Sequence, residues 1–261
     1  MSPLFEHQVR YERRGACAVV TIDRPERRNA VDGPTADALD DAYDRWVADQ
    51  EAKVMILTGA GGKAFCAGAD LKAIETFEPR IAAEGGPLGF TRRIPPKPAI
   101  AAIEGWCLAG GMELALWCDI RIGAASARFG FTERRFGVPL IDGATQRLPR
   151  IVGLGRAMDL VLTGRVIDVE EGCEIGLVNE QVADGSALER ALELGEQLAA
   201  FPWPTLLADR ESTLEAQGFP LPEGMAREAA RGTGTVLEGV SGAARFAAGE
   251  GRHGSGVDGT S

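Results

Sequence analysis

Two short stretches of small residues, about forty positions apart, have the residue types and spacing that could do chemistry. The first covers residues 64–72 (AFCAGADLK) and the second covers residues 106–115 (WCLAGGMELA). In each stretch the small side chains leave backbone N–H groups free to point inward, and the second leads into a helix. Two such donors that converge on one oxygen would form an oxyanion hole, which stabilises an enolate-like transition state.

Glu113 lies in the first turn of the helix that the second stretch opens. Acidic residues are common at that position because they complement the helix dipole. Gly110 and Gly111, however, leave the helix-terminal N–H groups open to a ligand oxygen. A carboxylate one turn further on would sit beside that oxygen, so Glu113 is a candidate catalytic residue.

In pattern and order the two stretches resemble the crotonase (enoyl-CoA hydratase/isomerase) superfamily, whose members act on acyl-coenzyme A thioesters of the kind found in fatty acid metabolism. The resemblance spans nearly the whole chain. It implies an α/β fold, a crotonase-like spiral of ββα units with a C-terminal helical trimerisation domain, assembled as a homotrimer or a dimer of trimers. It also implies that the backbone N–H groups of Ala69 and Gly110 hold the thioester oxygen.

Glu133 is the second candidate acid. In isolation, a glutamate beside Arg134 and Arg135 would be expected to form a surface ion pair. Hydratases of the resembled family carry a second glutamate twenty residues after the first, and 133 − 113 is twenty; residues 145–149 (TQRLP) fit the same register. The resemblance therefore implies that Glu113 activates water and that Glu133 delivers a proton to the α-carbon, as two carboxylates around one water can do.

The segment after Glu133 departs from the family pattern. Ile141 and Asp142 stand where small residues normally shape the acyl pocket. Dienoyl-CoA isomerases of the family carry an aspartate nearby, one position earlier in register. Asp142 is thus either a third acid or a turn-forming residue before Gly143, and the sequence favours the turn.

The resemblance also implies a coenzyme A site. In that site the pocket for the adenine ring would be lined by Ala67, Asp70 and Leu71, largely through their backbone groups. The phosphates of coenzyme A would be approached by the cations Arg24, Arg27 and Lys72. A polyanion needs local positive charge on a chain whose net charge is −10. The alternative for each of these cations, and for Lys63, is that the residue belongs to a solvated basic loop and binds no ligand.

A competing motif precedes the first stretch. Residues 59–64 (GAGGKA) follow a predicted strand and fit the Gly-x-Gly-x-x-Ala form of a dinucleotide fingerprint. That fingerprint must open a helix at once, whereas residues 65–70 continue as a small-residue turn. A nicotinamide oxidoreductase is therefore disfavoured. No histidine supports a cysteine nucleophile, and no cluster has metal-ligand spacing, so neither a metal nor a cofactor is expected.

Composition limits the function classes. The acidic net charge argues against nucleic-acid binding, which needs clustered cations. The five cysteines are an odd number without Cys-x-x-Cys spacing, and no signal peptide or apolar run of about 18 residues is apparent. We therefore expect a soluble cytoplasmic protein with reduced thiols and no membrane partner.

The elements that must position these residues are strands alternating with helices, the pattern of an α/β protein. We predict a hairpin at 8–13 and 16–22 and further strands at 54–58, 99–103, 120–122 and 177–182. We predict helices at 34–51, at 110–118 and from 144 to about 162, and the start of a short helix at 168–171. After about residue 195 the pattern predicts only helices, at 202–217, 223–238 and 243–248. We expect a spiral core with the acyl-CoA site over residues 1–196 and a helical domain over 197–261, with a mobile glycine-rich tail from Gly249.

The sequence thus predicts an enoyl-CoA hydratase, a lyase that adds water across the 2,3-double bond of an enoyl-CoA thioester. A double-bond isomerase is the alternative within the fold. A non-catalytic acyl-CoA-binding protein would not need the two glutamates.

Overall fold

The computed structural model describes residues 8–248, which divide into two compact units between Glu196 and Gln197. The predicted mobile tail from Gly249 lies outside the described residues. None of the helices within residues 8–248 combines the length and apolar character that a membrane span requires.

A six-stranded sheet forms the centre of the first unit. In chain order its strands are β1 (Val9–Arg14), β2 (Cys17–Ile22), β3 (Val54–Gly59), β5 (Ala99–Ile103), β7 (Ile120–Ala124) and β10 (Glu180–Val182), and they lie side by side in that same order. The β1–β2 hairpin is antiparallel and every other pair is parallel. Strands β2 and β5 are buried along their whole length, as parallel strands covered on both faces must be.

A second, four-stranded sheet holds the two small-residue turns. It consists of three-residue strands: β4 (Ala64–Cys66), β6 (Trp106–Leu108), β8 (Arg128–Gly130) and β9 (Val166–Asp168). Each of β3, β5 and β7 is followed by a strand of this small sheet and then by a helical segment, which gives the repeated ββα units. The sequence did not predict these strands, because three residues are too few to show a periodic pattern.

The helices of the first unit are α1 (Gly33–Ala48), α2 (Gly110–Trp117), α3 (Ala144–Val152), α4 (Leu154–Thr163), α5 (Val169–Glu174) and α6 (Ala187–Ala200), the last of which extends past the boundary between the units. Two 3₁₀ segments, Leu71–Arg80 and Thr132–Phe136, border the site described below. The predicted helix from 144 to 162 is two helices, because Gly153 has a φ of +81° that ends the first.

The described part of the second unit is helical. It contains α7 (Trp203–Glu215), α8 (Leu221–Thr233) and α9 (Val236–Ala247). The predicted single helix over 223–238 is wrong, since the chain leaves helical structure around Gly234 and Thr235. The predicted separate segment at 243–248 is the second half of α9.

An aromatic cluster fixes the segment that crosses between α1 and α2. Phe90 stacks on Tyr43 of α1 with ring centroids 5.6 Å apart, and it packs on Trp117 of α2 at 4.5 Å. The indole N–H of Trp117 donates a hydrogen bond to the carbonyl of Arg93 at 2.8 Å. This anchors residues 88–93, which carry part of the wall of the site.

Candidate active site

The two small-residue turns meet backbone to backbone. A Cβ on Gly68, whose φ is +91°, would lie 2.8 Å from the backbone nitrogen of Gly110. A Cβ on Gly111 would lie 2.1 Å from the carbonyl oxygen of Cys66. Real Cβ atoms do not approach this closely, so both positions require glycine for the two turns to pack together.

This packing leaves two backbone donors without acceptors. Among the described residues, nothing accepts a hydrogen bond from the N–H of Ala69 or Gly110, whereas the adjacent Asp70 and Ala109 donate to backbone carbonyls at 2.7 and 2.8 Å. Ala109 has a φ of +51°, a strained conformation for a residue with a side chain. Ala69 and Gly110 are half-buried, and two unused backbone donors at one site suit a ligand oxygen.

A cavity of about 230 Å³ lies in front of these donors. Its lining is largely apolar and includes the carboxyl groups of Glu113, Glu133 and Asp142. The sequence-predicted site residues that line it are Ala67, Ala69, Leu71, Gly110, Glu113, Glu133, Ile141 and Asp142. The other lining residues are Ile74, Phe77, Ile81, Pro87, Leu88, Ala109, Thr132, Phe136, Val138 and Pro139.

Glu113 is buried in the first turn of α2 and reaches the cavity wall. Its Oε1 accepts hydrogen bonds from the backbone N–H of Asp142 at 2.9 Å and of Ala144 at 3.0 Å. Burial, followed by the nearby charge of Asp142, raises the pKa of Glu113 to about 8. The carboxyl group is thus held in place by backbone donors and can exchange a proton near neutral pH.

Glu133 is also buried, and neither of its carboxyl oxygens has a hydrogen-bond partner among the described residues. The surface ion pair that its neighbours suggested does not form, because Arg134 and Arg135 donate to backbone carbonyls of other segments. Burial raises the pKa of Glu133 to about 7. Two such carboxyl groups on one cavity can hold a single proton between them at neutral pH.

Asp142 is more than the turn-forming residue favoured from sequence. It is 3% exposed, lines the cavity, and accepts hydrogen bonds at Oδ1 from the backbone N–H of Leu88 at 3.1 Å and from the hydroxyl of Thr91. Burial raises its pKa, while these hydrogen bonds oppose the shift. Sequence reasoning missed Leu88 and Thr91, which lie in a loop segment without periodic pattern, 54 and 51 positions from Asp142.

The structure corrects the expectation for Arg24. Its guanidinium is buried and forms ion pairs with Asp32 at 2.8 Å and Asp70 at 3.2 Å, and it also donates to the carbonyl of Ala30. A cation with both charge partners in place is not free for a phosphate. Arg24 instead ties the turn before α1 to the turn after β4.

Unlike Ala67 and Leu71, the predicted coenzyme A residues Arg27, Asp70 and Lys72 lie outside the cavity lining, as does Lys63. Arg27, Lys72 and Lys63 are exposed, with no ion-pair partner within residues 8–248. The sequence predicted that Asp70 would help to line the adenine pocket through its backbone, but its backbone N–H donates to the carbonyl of Val31 and is not free for a ligand. The side chain of Asp70 caps the turn by accepting a hydrogen bond from the N–H of Lys72 at 3.1 Å.

Neither a dinucleotide site nor a metal site is supported. The Gly59 loop leads into strand β4 rather than into the helix that a dinucleotide fingerprint requires. In the part of the chain that the structure describes, no group of three or more His, Cys, Asp or Glu side chains is arranged to hold a metal ion.

The chain is similar in sequence to known proteins. Residues 12–219 match the family model described as enoyl-CoA hydratase/isomerase. The chain is 40% identical over 193 residues to the short-chain-enoyl-CoA hydratase of Clostridium acetobutylicum, covering 72% of this chain and 74% of that protein. It is 41% identical over 196 residues to enoyl-CoA hydratase EchA19 of Mycobacterium tuberculosis, covering 72% and 73%.

A solved structure extends the match to three dimensions. The crystal structure of enoyl-CoA hydratase EchA1 from Mycobacterium marinum superposes with a TM-score of 0.86 at 38% identity, covering 93% of this chain and 96% of that one. The chain belongs to the enoyl-CoA hydratase/isomerase family and has its crotonase fold. This confirms the family and the fold predicted from sequence.

The structural role of Arg24 can be tested by mutation. Arg24→Ala should lower the free energy of unfolding by about 3–5 kcal/mol, because it leaves Asp32 and Asp70 as buried charges without a cation. The matched control is Arg27→Ala, an exposed arginine three residues away, which should change stability by about 0.5 kcal/mol or less. Urea unfolding measures both, and equal stabilities of the two variants would contradict the assignment.

Proposed function

We propose that this chain is an enoyl-CoA hydratase, which adds water across the 2,3-double bond of an enoyl-CoA thioester. The observation that carries the proposal is the shared cavity of Glu113 and Glu133 with the unpaired N–H groups of Ala69 and Gly110. Two proton-exchanging carboxyl groups beside an oxyanion hole are the groups that hydration of an activated double bond requires. The names of the related hydratases support the same reaction.

The proposed reaction divides the roles among these groups. Glu113, as carboxylate, removes a proton from water, and the oxygen of that water bonds to C3. The electron pair of the double bond moves toward the thioester carbonyl, whose oxygen gains negative charge beside the N–H groups of Ala69 and Gly110. Glu133, as carboxylic acid, protonates C2. The protein gains one proton at Glu113 and loses one at Glu133, so a transfer between them resets the site.

The substrate would be bound at two places. The apolar wall would hold the acyl chain, and the exposed cations Arg27 and Lys72 would approach the phosphates of coenzyme A, with Ala67 and Leu71 beside its adenine. In this proposal the enzyme needs no cofactor, because every proton and electron pair comes from substrate, water or the two glutamates. The cysteines of unit one, most of them buried, fit a reducing cytoplasm, and acyl-CoA chemistry fits fatty acid metabolism.

We further propose that the second unit mediates assembly into a trimer or a dimer of trimers. Its described helices expose large apolar side chains, including Leu221 at 75% and Leu237 at 79%. Exposed apolar area of this kind marks protein interfaces.

Light scattering tests the assembly. The wild-type protein should be a trimer or hexamer at micromolar concentration, and the double variant Leu237→Asp, Val240→Asp on α9 should shift it toward monomer. Glu238→Ala, on the same helix, should leave the assembly intact. A wild-type monomer would contradict the assembly but not the reaction.

The two glutamates provide the test of the reaction. Glu113→Gln and Glu133→Gln should each lower hydration of 2-octenoyl-CoA by roughly 10²–10⁴, the usual contribution of a positioned acid or base. The double variant should fall well short of the product of the two losses, because both groups act on one transition state. Binding of octanoyl-CoA, measured separately, should stay near that of the wild type.

The pH dependence follows from the two raised pKa values, about 7 and about 8. Below both values the pair carries two protons and lacks a base; above both it carries none and lacks an acid. Between them the pair carries one proton. Glu113 has the higher pKa, so the form that reacts, with Glu133 protonated and Glu113 ionised, is the minor one-proton form, but its population has the same pH dependence. The wild-type kcat/KM should therefore be bell-shaped, with its maximum between about pH 7 and 8.

Hydration by Glu133→Gln at the wild-type rate would disprove the two-carboxylate mechanism, and a product of unchanged mass with a moved double bond would indicate an isomerase.

A further inference from the structure

One hydrogen-bonded path joins the acyl-chain wall of the cavity to the proposed catalytic base. The backbone N–H of Asp142 donates to Glu113 at 2.9 Å, while the side chain of Asp142 accepts from the backbone of Leu88 and the hydroxyl of Thr91. Asp142 is therefore bonded on one side to the group that would activate water and on the other to the segment that forms the wall.

The wall residue on this path also touches the oxyanion hole. A Cβ on Gly110 would lie 2.8 Å from Cδ1 of Leu88, so this leucine packs directly over the glycine whose N–H would hold the thioester oxygen. Leu88 is buried and lines the cavity. A displacement of Leu88 would consequently change both the space for the acyl chain and the contact on Gly110.

The same link is braced by a second residue. Arg147 of α3 donates to the backbone carbonyl of Asp142 at 2.9 Å and to that of Thr91 at 2.6 Å. Beyond Thr91, Phe90 is fixed by its rings against α1 and α2. The segment is thus fixed to the rest of the protein at its C-terminal end, and the Asp142 side chain holds the part that bears Leu88.

We propose that Asp142 is a positioning and specificity-determining residue that sets the place of the Leu88 wall and of the Glu113 carboxylate together. Its side-chain oxygen acts as a hydrogen-bond acceptor and does not exchange a proton with the substrate. The acyl chains that the cavity accepts and the rate of water activation are then coupled through one buried residue. This inference rests on the proposed hydratase function.

The test compares variants that keep or remove the acceptor. Asp142→Asn retains an oxygen that can accept from Leu88 and Thr91 but cannot act as an acid, so its kcat should stay within about fivefold of the wild type. Asp142→Ala removes the acceptor and should lower kcat on the order of 10²-fold, the loss expected when a catalytic group is displaced by about 1 Å. Thr91→Val, which removes the hydroxyl donor to Asp142, should also lower kcat. Thr91→Ser keeps a hydroxyl donor and should have a kcat near that of the wild type.

A general loss of stability would lower activity equally for all substrates, so the dependence of kcat/KM on acyl chain length separates a positioning role from a merely structural one. We expect the ratio of kcat/KM between 2-butenoyl-CoA and 2-decenoyl-CoA to change at least threefold in Asp142→Ala and Thr91→Val. Equal losses for both chain lengths, or wild-type rates in Asp142→Ala, would overturn the inference. So would an Asp142→Asn variant that loses as much as Asp142→Ala and also loses one limb of the pH profile, since Asp142 would then be a third acid. If the wild type hydrates no enoyl-CoA, the proposed function itself fails.

Discussion

The close approach of the two small-residue turns is the contact on which the rest of the site depends. A Cβ on Gly68 would lie 2.8 Å from the backbone nitrogen of Gly110, and the strained backbone of Ala109 completes the fit. This packing leaves the N–H groups of Ala69 and Gly110 unpaired at the wall of one cavity, while the neighbouring backbone groups pair within the protein. The short strands β4 and β6 pair in parallel and thereby bring the two turns side by side.

Burial raises the pKa of both glutamates and lowers their contribution to the stability of the fold at neutral pH. Because both side chains are buried, both carboxyl groups keep their protons to higher pH than the ordinary value of 4.5. The native state therefore binds more protons than the unfolded chain between about pH 4.5 and 8, so their contribution to stability falls as pH rises through that window. The backbone donors to Glu113 offset part of this penalty. No other described residue donates a hydrogen bond to Glu133, whose carboxyl group is therefore held less firmly than that of Glu113.

The features that could be predicted from sequence are those encoded in adjacent residues. The glycine turns, the spacing of Glu113 and Glu133, and the longer strands each show a local pattern. The three-residue strands of the small sheet do not, because pairing with neighbours creates them. The resemblance implied that Arg24 binds phosphate; its partner Asp70 lies 46 positions away and only the fold brings the two together, so no pattern in the sequence indicated the ion pair. The link from Asp142 to Thr91 spans 51 positions and has no sequence signal either.

In the proposed mechanism the backbone N–H groups of Ala69 and Gly110 hold the thioester oxygen, and a bound ligand can report this contact directly. The most direct measurement is infrared difference spectroscopy of octanoyl-CoA, labelled with ¹³C at the thioester carbonyl, bound to the wild-type protein. Two strong donors should lower the carbonyl stretching frequency below its value in water, and the shift should shrink in folded Gly110→Pro, which lacks one donor. A bound carbonyl with the frequency it has in water, or a shift that Gly110→Pro leaves intact, would contradict the account.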